Sequence, residues 1–147
     1  MTVSTALQAA AISTFEELCF LLPAGDVTEV QAAAEPDVDV EVAFSGPRHG
    51  RLLLRLCGPL LPELAANMLG AGDVPASSLQ QDAAGEIANV ICGNVLPQVM
   101  GDARVFLLSA PKVQRAHAAS PAAAADSVVL GLGEGRIELR LEFQVPL

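Results

Sequence analysis

Aromatic residues are scarce in this sequence, which contains no Trp, no Tyr and only five Phe among its 147 residues. Any core must therefore be built mainly from Leu, Val, Ile and Ala. A chain of this length buries a substantial core but leaves little room for a second one. We expect a single domain that spans residues 1–147.

Positive charge is also sparse, since eight Lys and Arg residues stand against 17 Asp and Glu residues and the net charge is −9. Nucleic-acid binding requires clustered Lys and Arg to neutralise phosphates, and anionic lipid surfaces attract the same residues. Here the one lysine and the seven arginines are scattered along the chain. We therefore expect neither a nucleic-acid partner nor a membrane partner.

Long apolar runs and recognisable leader segments are lacking as well. No uninterrupted apolar stretch reaches the roughly 18 residues of a membrane helix, and no basic segment with an apolar run and a cleavage site opens the chain. Cys19, Cys57 and Cys92 are far apart and each lies among apolar residues, as buried reduced thiols do. No His or Cys cluster has metal-ligand spacing. These features predict a cytoplasmic protein that binds no cofactor of its own.

Apolar periodicity predicts helices at residues 3–22 and 60–69, and a long helix that starts at a cap on Ser77 or Ser78 and ends near Val99, broken by Pro97. Alternating residues predict strands at 37–44, 51–56, 104–109, 127–132 and 136–145, most of them joined in hairpins. Residues 26–36 are expected to form a loop or an irregular edge, and residues 117–125 a loop of low complexity.

Strands joined in hairpins imply an α+β fold, with a mainly antiparallel sheet and long helices packed on one face. The order helix, hairpin, helix and then helix, strand, hairpin indicates a rough internal duplication. In the last strand, strict alternation predicts one core face and one solvent face. The expected core residues are Ile137, Leu139, Leu141, Phe143 and Val145. The residues expected to face water are Arg136, Glu138, Arg140 and Glu142.

The long helix carries a polar stripe. At roughly 100° per residue, Asp82, Glu86, Asn89 and Gly93 fall within about 60° of one another on one helical face. Apolar residues occupy the opposite side, so a core can cover that side while the stripe looks outward. The pattern is typical of a helix that presents polar groups to a partner.

The spacing of this stripe resembles a family signature. Asp82-x3-Glu86-x2-Asn89, followed after 21 residues by Pro111, is similar to the motif of the CheC/CheX/FliY phosphatases of bacterial chemotaxis. The upstream run Ala65-Ala66-Asn67-Met68-Leu69-Gly70 resembles a helix end of that family. The resemblance covers roughly residues 44–145. With a single intact motif, the chain is most similar to the CheX type, and one CheX-like domain is implied.

The resemblance implies hydrolysis of the aspartyl phosphate on a phosphorylated CheY-like receiver domain. By the same resemblance, Glu86 pairs with the receiver's active-site lysine, Asn89 holds a water in line with the phosphorus, and Asp82 supports docking. An acyl phosphate is already activated, so an amide that positions water is sufficient and no strong base is needed. The receiver is expected to supply the divalent cation, Mg²⁺.

Three further residues are assigned to partner binding. Gly93 allows either a close helix contact or clearance for a partner's backbone. Pro111 completes the motif, and Lys112 beside it offers a cation for docking. In the first helix, Ser13-x3-Glu17-x2-Phe20 is either a second site that has lost its amide or a coincidence.

A function of another class stays open. The same fold can serve as a scaffold module that binds a receiver or the flagellar switch without hydrolysis. Free strand edges also offer backbone groups to a second copy, so a homodimer is expected.

Overall fold

The computed structural model describes residues 2–101, 105–117, 120–123 and 125–145. The helices are α1 (Val3–Cys19), α2 (Glu29–Ala33), α3 (Leu61–Leu69) and α4 (Ser77–Met100). The strands are β1 (Pro36–Ser45), β2 (Gly50–Cys57), β3 (Leu107–Leu108), β4 (Lys112–Arg115), β5 (Ser127–Leu132) and β6 (Gly135–Phe143). A short 3₁₀ turn spans Pro121–Ala123.

The strands form one antiparallel sheet in the order β3-β1-β2-β6-β5, and β4 pairs with β1 beside β3. Both predicted hairpins are present, with Val42 opposite Leu52 in the first and Leu130 opposite Ile137 in the second. The α+β class with an antiparallel sheet is therefore confirmed. The element order also retains the predicted duplication, with α1 beginning the first half and α4 the second.

The core lies between the sheet and helices α1 and α4. Alternate strand residues point into it, including Val40, Val42, Leu52, Leu54, Leu139 and Leu141. Phe44 contacts Phe106 and Phe143 edge-on, at centroid distances of 5.8 and 5.6 Å. Burial of each aliphatic side chain contributes about 1.5–3 kcal/mol, so an aliphatic core of this kind holds the layers together.

Several predicted boundaries were wrong. Residues 26–36 include helix α2, because Thr28 and Gln31 form a reciprocal capping box that starts it. Helix α4 begins after Ala76, which makes no side-chain cap, so neither serine is the cap residue. Pro97 lies inside α4, which continues to Met100. The buried residues Val95 and Leu96 pack this end of the helix onto the core and offset the proline's lost hydrogen bond.

The predicted strand at 104–109 is reduced to β3, while β4 was not predicted. Residue 104 lies outside the described residues. Pro111 ends one short pairing with β1, and Lys112–Arg115 then resumes it opposite Val38–Glu41. Within the loop predicted at 117–125 lies the 3₁₀ turn; residues 118, 119 and 124 are outside the described part.

The outer face of the sheet is less hydrated than predicted. Glu138 and Arg55 are only 3% and 5% exposed, because the 3₁₀ segment covers them. Asp39, Arg55 and Glu138 stand side by side on β1, β2 and β6. Arg55 donates to both carboxylate oxygens of Asp39 at 2.7 and 3.0 Å. Val145 was also misplaced, since β6 ends at Phe143 and Val145 is 67% exposed.

The three cysteines are buried and free, as the sequence predicts. Burial raises the pKa of the Cys19 and Cys92 thiols to about 12 and that of Cys57 to about 11. These thiols are protonated at neutral pH and are poor nucleophiles. Among the helices that the structure describes, none combines the length and apolar character that crossing a bilayer requires.

Candidate functional site

Helix α4 presents the polar stripe to the outside. Asp82, Glu86 and Gly93 are exposed and Asn89 is half-buried. The opposite side supplies core residues, namely Ala84, Ile87, Ala88, Ile91 and Val95. The helix is therefore fixed along one face by packing, which leaves the stripe at a defined orientation.

A shallow depression of about 340 Å³ lies beside this stripe. Its lining residues are Gln81, Asp82, Gly85, Glu86, Asn89, Pro111 and Val113. The fold thus brings Pro111 to the same place as Asp82, Glu86 and Asn89. Gln81, Gly85 and Val113 were not singled out from the sequence. Their signal is weak, because a glutamine, a helical glycine and a strand valine are ordinary residues in their elements.

Pro111 contacts α4 at Gly85. A methyl group built at Gly85 would lie 2.9 Å from Cγ of Pro111 and 3.3 Å from its Cβ. Gly85 is buried, and no side chain separates the proline ring from the helix backbone. This contact forms the boundary of the depression on the side of β4.

Asn89 has an unusual environment for an amide. Its Oδ1 atom is buried and has no hydrogen-bond partner among the residues that the structure describes. A buried acceptor left unpaired costs about 1–3 kcal/mol, so such an atom requires an explanation. The residue lines the same depression as Asp82, Glu86 and Pro111.

Two residues predicted to bind a partner lie outside the depression. Gly93 is farther along α4, and a methyl group there would approach Leu108 no closer than 4.0 Å. A side chain there would make only an ordinary contact with Leu108, so the glycine is not required by a tight helix contact, and its role towards a partner stays a prediction. Lys112 is exposed at the start of β4, opposite Glu41 across the sheet. Both are close in sequence to lining residues, but neither is one.

The chemical groups at the depression are carboxylates and amides. Cys92 lies one turn beyond Asn89, but it is buried and its pKa is raised to about 12 by desolvation. No group of three His, Cys, Asp or Glu side chains among the described residues is arranged to hold a metal ion. The arrangement suits positioning of a water molecule or a charged partner group more than covalent catalysis by this chain.

The motif-like residues of the first helix do not reproduce this arrangement. Ser13 and Glu17 are exposed on α1 and contact each other at 3.4 Å. The helix ends at Cys19, and Phe20 follows in the left-handed region with φ of 60° and 74% exposure. The third position therefore lies beyond the helix end and carries no amide, which leaves the origin of the pattern open.

Comparison with protein families gives one match of direct relevance. The family model described as chemotaxis phosphatase CheX matches residues 38–131. The matched region includes the whole stripe and Pro111. No curated protein matches the chain.

Solved structures show the same fold. CheX from Desulfovibrio desulfuricans has a TM-score of 0.73 and 15% identity, over 97% of this chain and 99% of that one. CheX from Vibrio vulnificus has a TM-score of 0.72 and 16% identity, over 98% and 97%. A complex of CheX with CheY, BeF3 and Mg²⁺ from Borrelia burgdorferi has a TM-score of 0.63 and 14% identity, over 96% and 97%.

Proposed function

Because the chain belongs to the CheX family of chemotaxis phosphatases, we propose that it hydrolyses the aspartyl phosphate of a phosphorylated CheY-like receiver domain. One observation carries the residue assignment. Glu86, Asn89 and Pro111, which match the motif, line a single depression on the exposed face of α4. The complex of a similar CheX with CheY supports a receiver as the partner.

In the proposed complex, Glu86 makes the first polar contact. Its carboxylate is exposed on α4 and is free to approach a cation on a partner surface. An ion pair with the receiver's active-site lysine would fix the register of the helix against the phosphorylation pocket. Asp82 lies one turn earlier and supports the same docking.

Asn89 performs the step that speeds hydrolysis. It follows Glu86 by three residues, so the two side chains share a helical face and enter the pocket together. A carboxamide both donates and accepts hydrogen bonds and can hold a water in line with the phosphorus. The receiver supplies Mg²⁺ and lysine, which stabilise the charge on the phosphoryl oxygens.

Asn89→Ala tests this assignment. We expect the wild-type protein to accelerate phosphate release from a phosphorylated CheY-like receiver. With the variant, the catalysed rate should be about 100-fold lower than with the wild-type protein, because one positioning group is lost. Rates are measured as receiver dephosphorylation with labelled phosphate. Asn94→Ala is the matched control, because Asn94 lies on the same helix outside the depression and contacts Thr14 at 3.5 Å.

The same dephosphorylation assay distinguishes a phosphatase from a scaffold module. Binding of the phosphorylated receiver without any acceleration by the wild-type protein would contradict the phosphatase. That result would instead identify a scaffold module that binds a receiver or the flagellar switch.

We also propose a homodimer formed through a sheet edge, in the cytoplasm where receivers act. The edges are β3 with β4 on one side and β5 on the other. The β5 edge is partly occupied, because Ala24 exchanges backbone hydrogen bonds with Gly131 at 2.9 and 2.7 Å. Sedimentation at several protein concentrations tests the dimer, and a monomer throughout would contradict it.

A further inference from the structure

Gly85 is the point at which the connection into β4 rests on α4. A methyl group at this position would meet Cγ of Pro111 at 2.9 Å, closer than real contacts allow. Val113 Cγ2 lies 3.7 Å from the same point. Gly85, Pro111 and Val113 thus enclose a small space on the surface of α4, which we call the notch. The proline ring is closed onto its own backbone, and unlike the end of a long side chain it cannot swing away.

The notch lies beside the two groups of the proposed chemistry. Glu86 is the next residue, and Asn89 follows Gly85 by four positions on the same helical face. All three residues line the depression together with Pro111. Any displacement of the ring therefore changes the shape of the depression that Asn89 lines.

Asn89 needs this kind of support. Its buried Oδ1 has no hydrogen-bond partner among the described residues, so no bond to that atom fixes the orientation of the carboxamide. Packing has to fix it instead. The rigid walls that border the depression are the backbone of α4 at Gly85 and the ring of Pro111.

We propose that Gly85 is a positioning residue whose missing side chain seats Pro111 and thereby sets the Asn89 carboxamide in its productive orientation. This inference rests on the proposed phosphatase function and assigns to Gly85 a role in that reaction. Pro111 acts through Asn89 and touches neither the water nor the phosphate. A misplacement of about 1 Å in a positioned group is enough to lower a rate about 100-fold.

A double-mutant cycle tests the coupling on the phosphorylated receiver. Gly85→Ala and Pro111→Ala are each expected to lower kcat at least about 10-fold while KM stays within about twofold, because docking through Glu86 is kept. Since both changes disturb one contact, the double variant should be no slower than the slower single variant. Gly72→Ala is the matched control, because no atom lies within 4 Å of its added methyl group.

The orientation of the Asn89 side chain can also be followed by NMR, independently of the phosphatase reaction. The side-chain NH₂ signals of Asn89 are identified in a ¹H–¹⁵N spectrum by their loss in Asn89→Asp. They should shift in Gly85→Ala and Pro111→Ala and stay in place in Gly72→Ala. If Gly85→Ala does not fold, Pro111→Ala alone carries both measurements, because it removes the ring without adding an atom.

The outcomes separate the two proposals. A wild-type protein that does not accelerate dephosphorylation overturns the proposed function. Acceleration that survives Gly85→Ala and Pro111→Ala overturns the positioning role alone. Losses that multiply in the double variant, or Asn89 signals that do not move, overturn it as well.

Discussion

At the scale of single residues, two asparagines on α4 show how position determines role. Asn94 Nδ2 lies 3.5 Å from Thr14 Oγ1, which joins α4 to α1. Asn89 instead lines the depression, with its Oδ1 buried and unpaired among the described residues. The same type of side chain thus bridges two helices at one position and lines an open depression at the other.

Glu86 is predicted to act mainly in docking. In Glu86→Gln the charge is removed while the size is kept, so we expect the KM for the phosphorylated receiver to rise about 10-fold. The loss should shrink as salt is added, because an ion pair at an exposed carboxylate is screened. Steady-state kinetics at low and high ionic strength measure both effects. Unchanged binding and rate would show that the lysine pairing is wrong.

At the scale of elements, the outer face of the sheet is not simply a solvent-exposed polar surface. Charged residues point away from the core, but they form rows across strands in which opposite charges meet. Arg51 contacts Glu41 at 3.0 Å and Glu142 at 3.2 Å. Arg55 contacts Asp39 on the neighbouring strand at 2.7 Å. These cross-strand ion pairs therefore help to fix the register of the strands.

Arg55→Ala tests the buried row. It leaves the Asp39 carboxylate, whose side chain is 18% exposed, without its bidentate partner. We expect the free energy of unfolding to fall by about 3 kcal/mol. Denaturant unfolding measures it. Arg51→Ala on the same strand is the control, expected to cost less than about 1 kcal/mol because its side chain is 43% exposed. Equal losses would contradict the distinction.

At the scale of the whole molecule, three buried thiols lie in different elements, two of them in the main core and Cys57 beside Glu138 on the other face of the sheet. Cys19 ends α1, Cys57 ends β2 and Cys92 lies within α4. Burial raises the pKa of each thiol from the ordinary value of 9.0, to about 12 for Cys19 and Cys92 and to about 11 for Cys57. In the unfolded chain all three ionise near the ordinary value.

We predict that stability falls as the pH rises above 9. The folded state holds these protons more tightly than the unfolded state, so the contribution is complete below pH 9 and is lost between pH 9 and the folded pKa values of about 11–12. The slope approaches about 1.4 kcal/mol per pH unit for each thiol. Urea unfolding at pH 7–11 measures it.

The composition of the chain makes it possible to assign this pH dependence to the thiols. The chain has no tyrosine and one lysine, so few other side chains ionise in this range. Replacing Cys19 or Cys92 by Ala should lower the slope. A stability that is independent of pH from 9 to 11 would show that the thiols are not protected by burial.

The sequence by itself determined the features that depend on local periodicity. Helix α1, the two hairpins and the outward stripe of α4 follow from residues a few positions apart, whose side chains repeat every 3.6 or every two residues. The sequence therefore predicts correctly that this face of the helix is turned away from the core. The resemblance then supplied Pro111 as a related position, but not the reason for it.

Only the tertiary structure decided the contacts between distant segments. The seat of Pro111 on Gly85, the burial of Glu138 beneath the 3₁₀ segment and the pairing of β4 with β1 each join residues far apart in the chain. Such contacts depend on how the helices pack on the sheet. A local sequence pattern does not specify which distant residue will contact a given helix face. Periodicity therefore identified the helix face, whereas packing shaped the depression beside it.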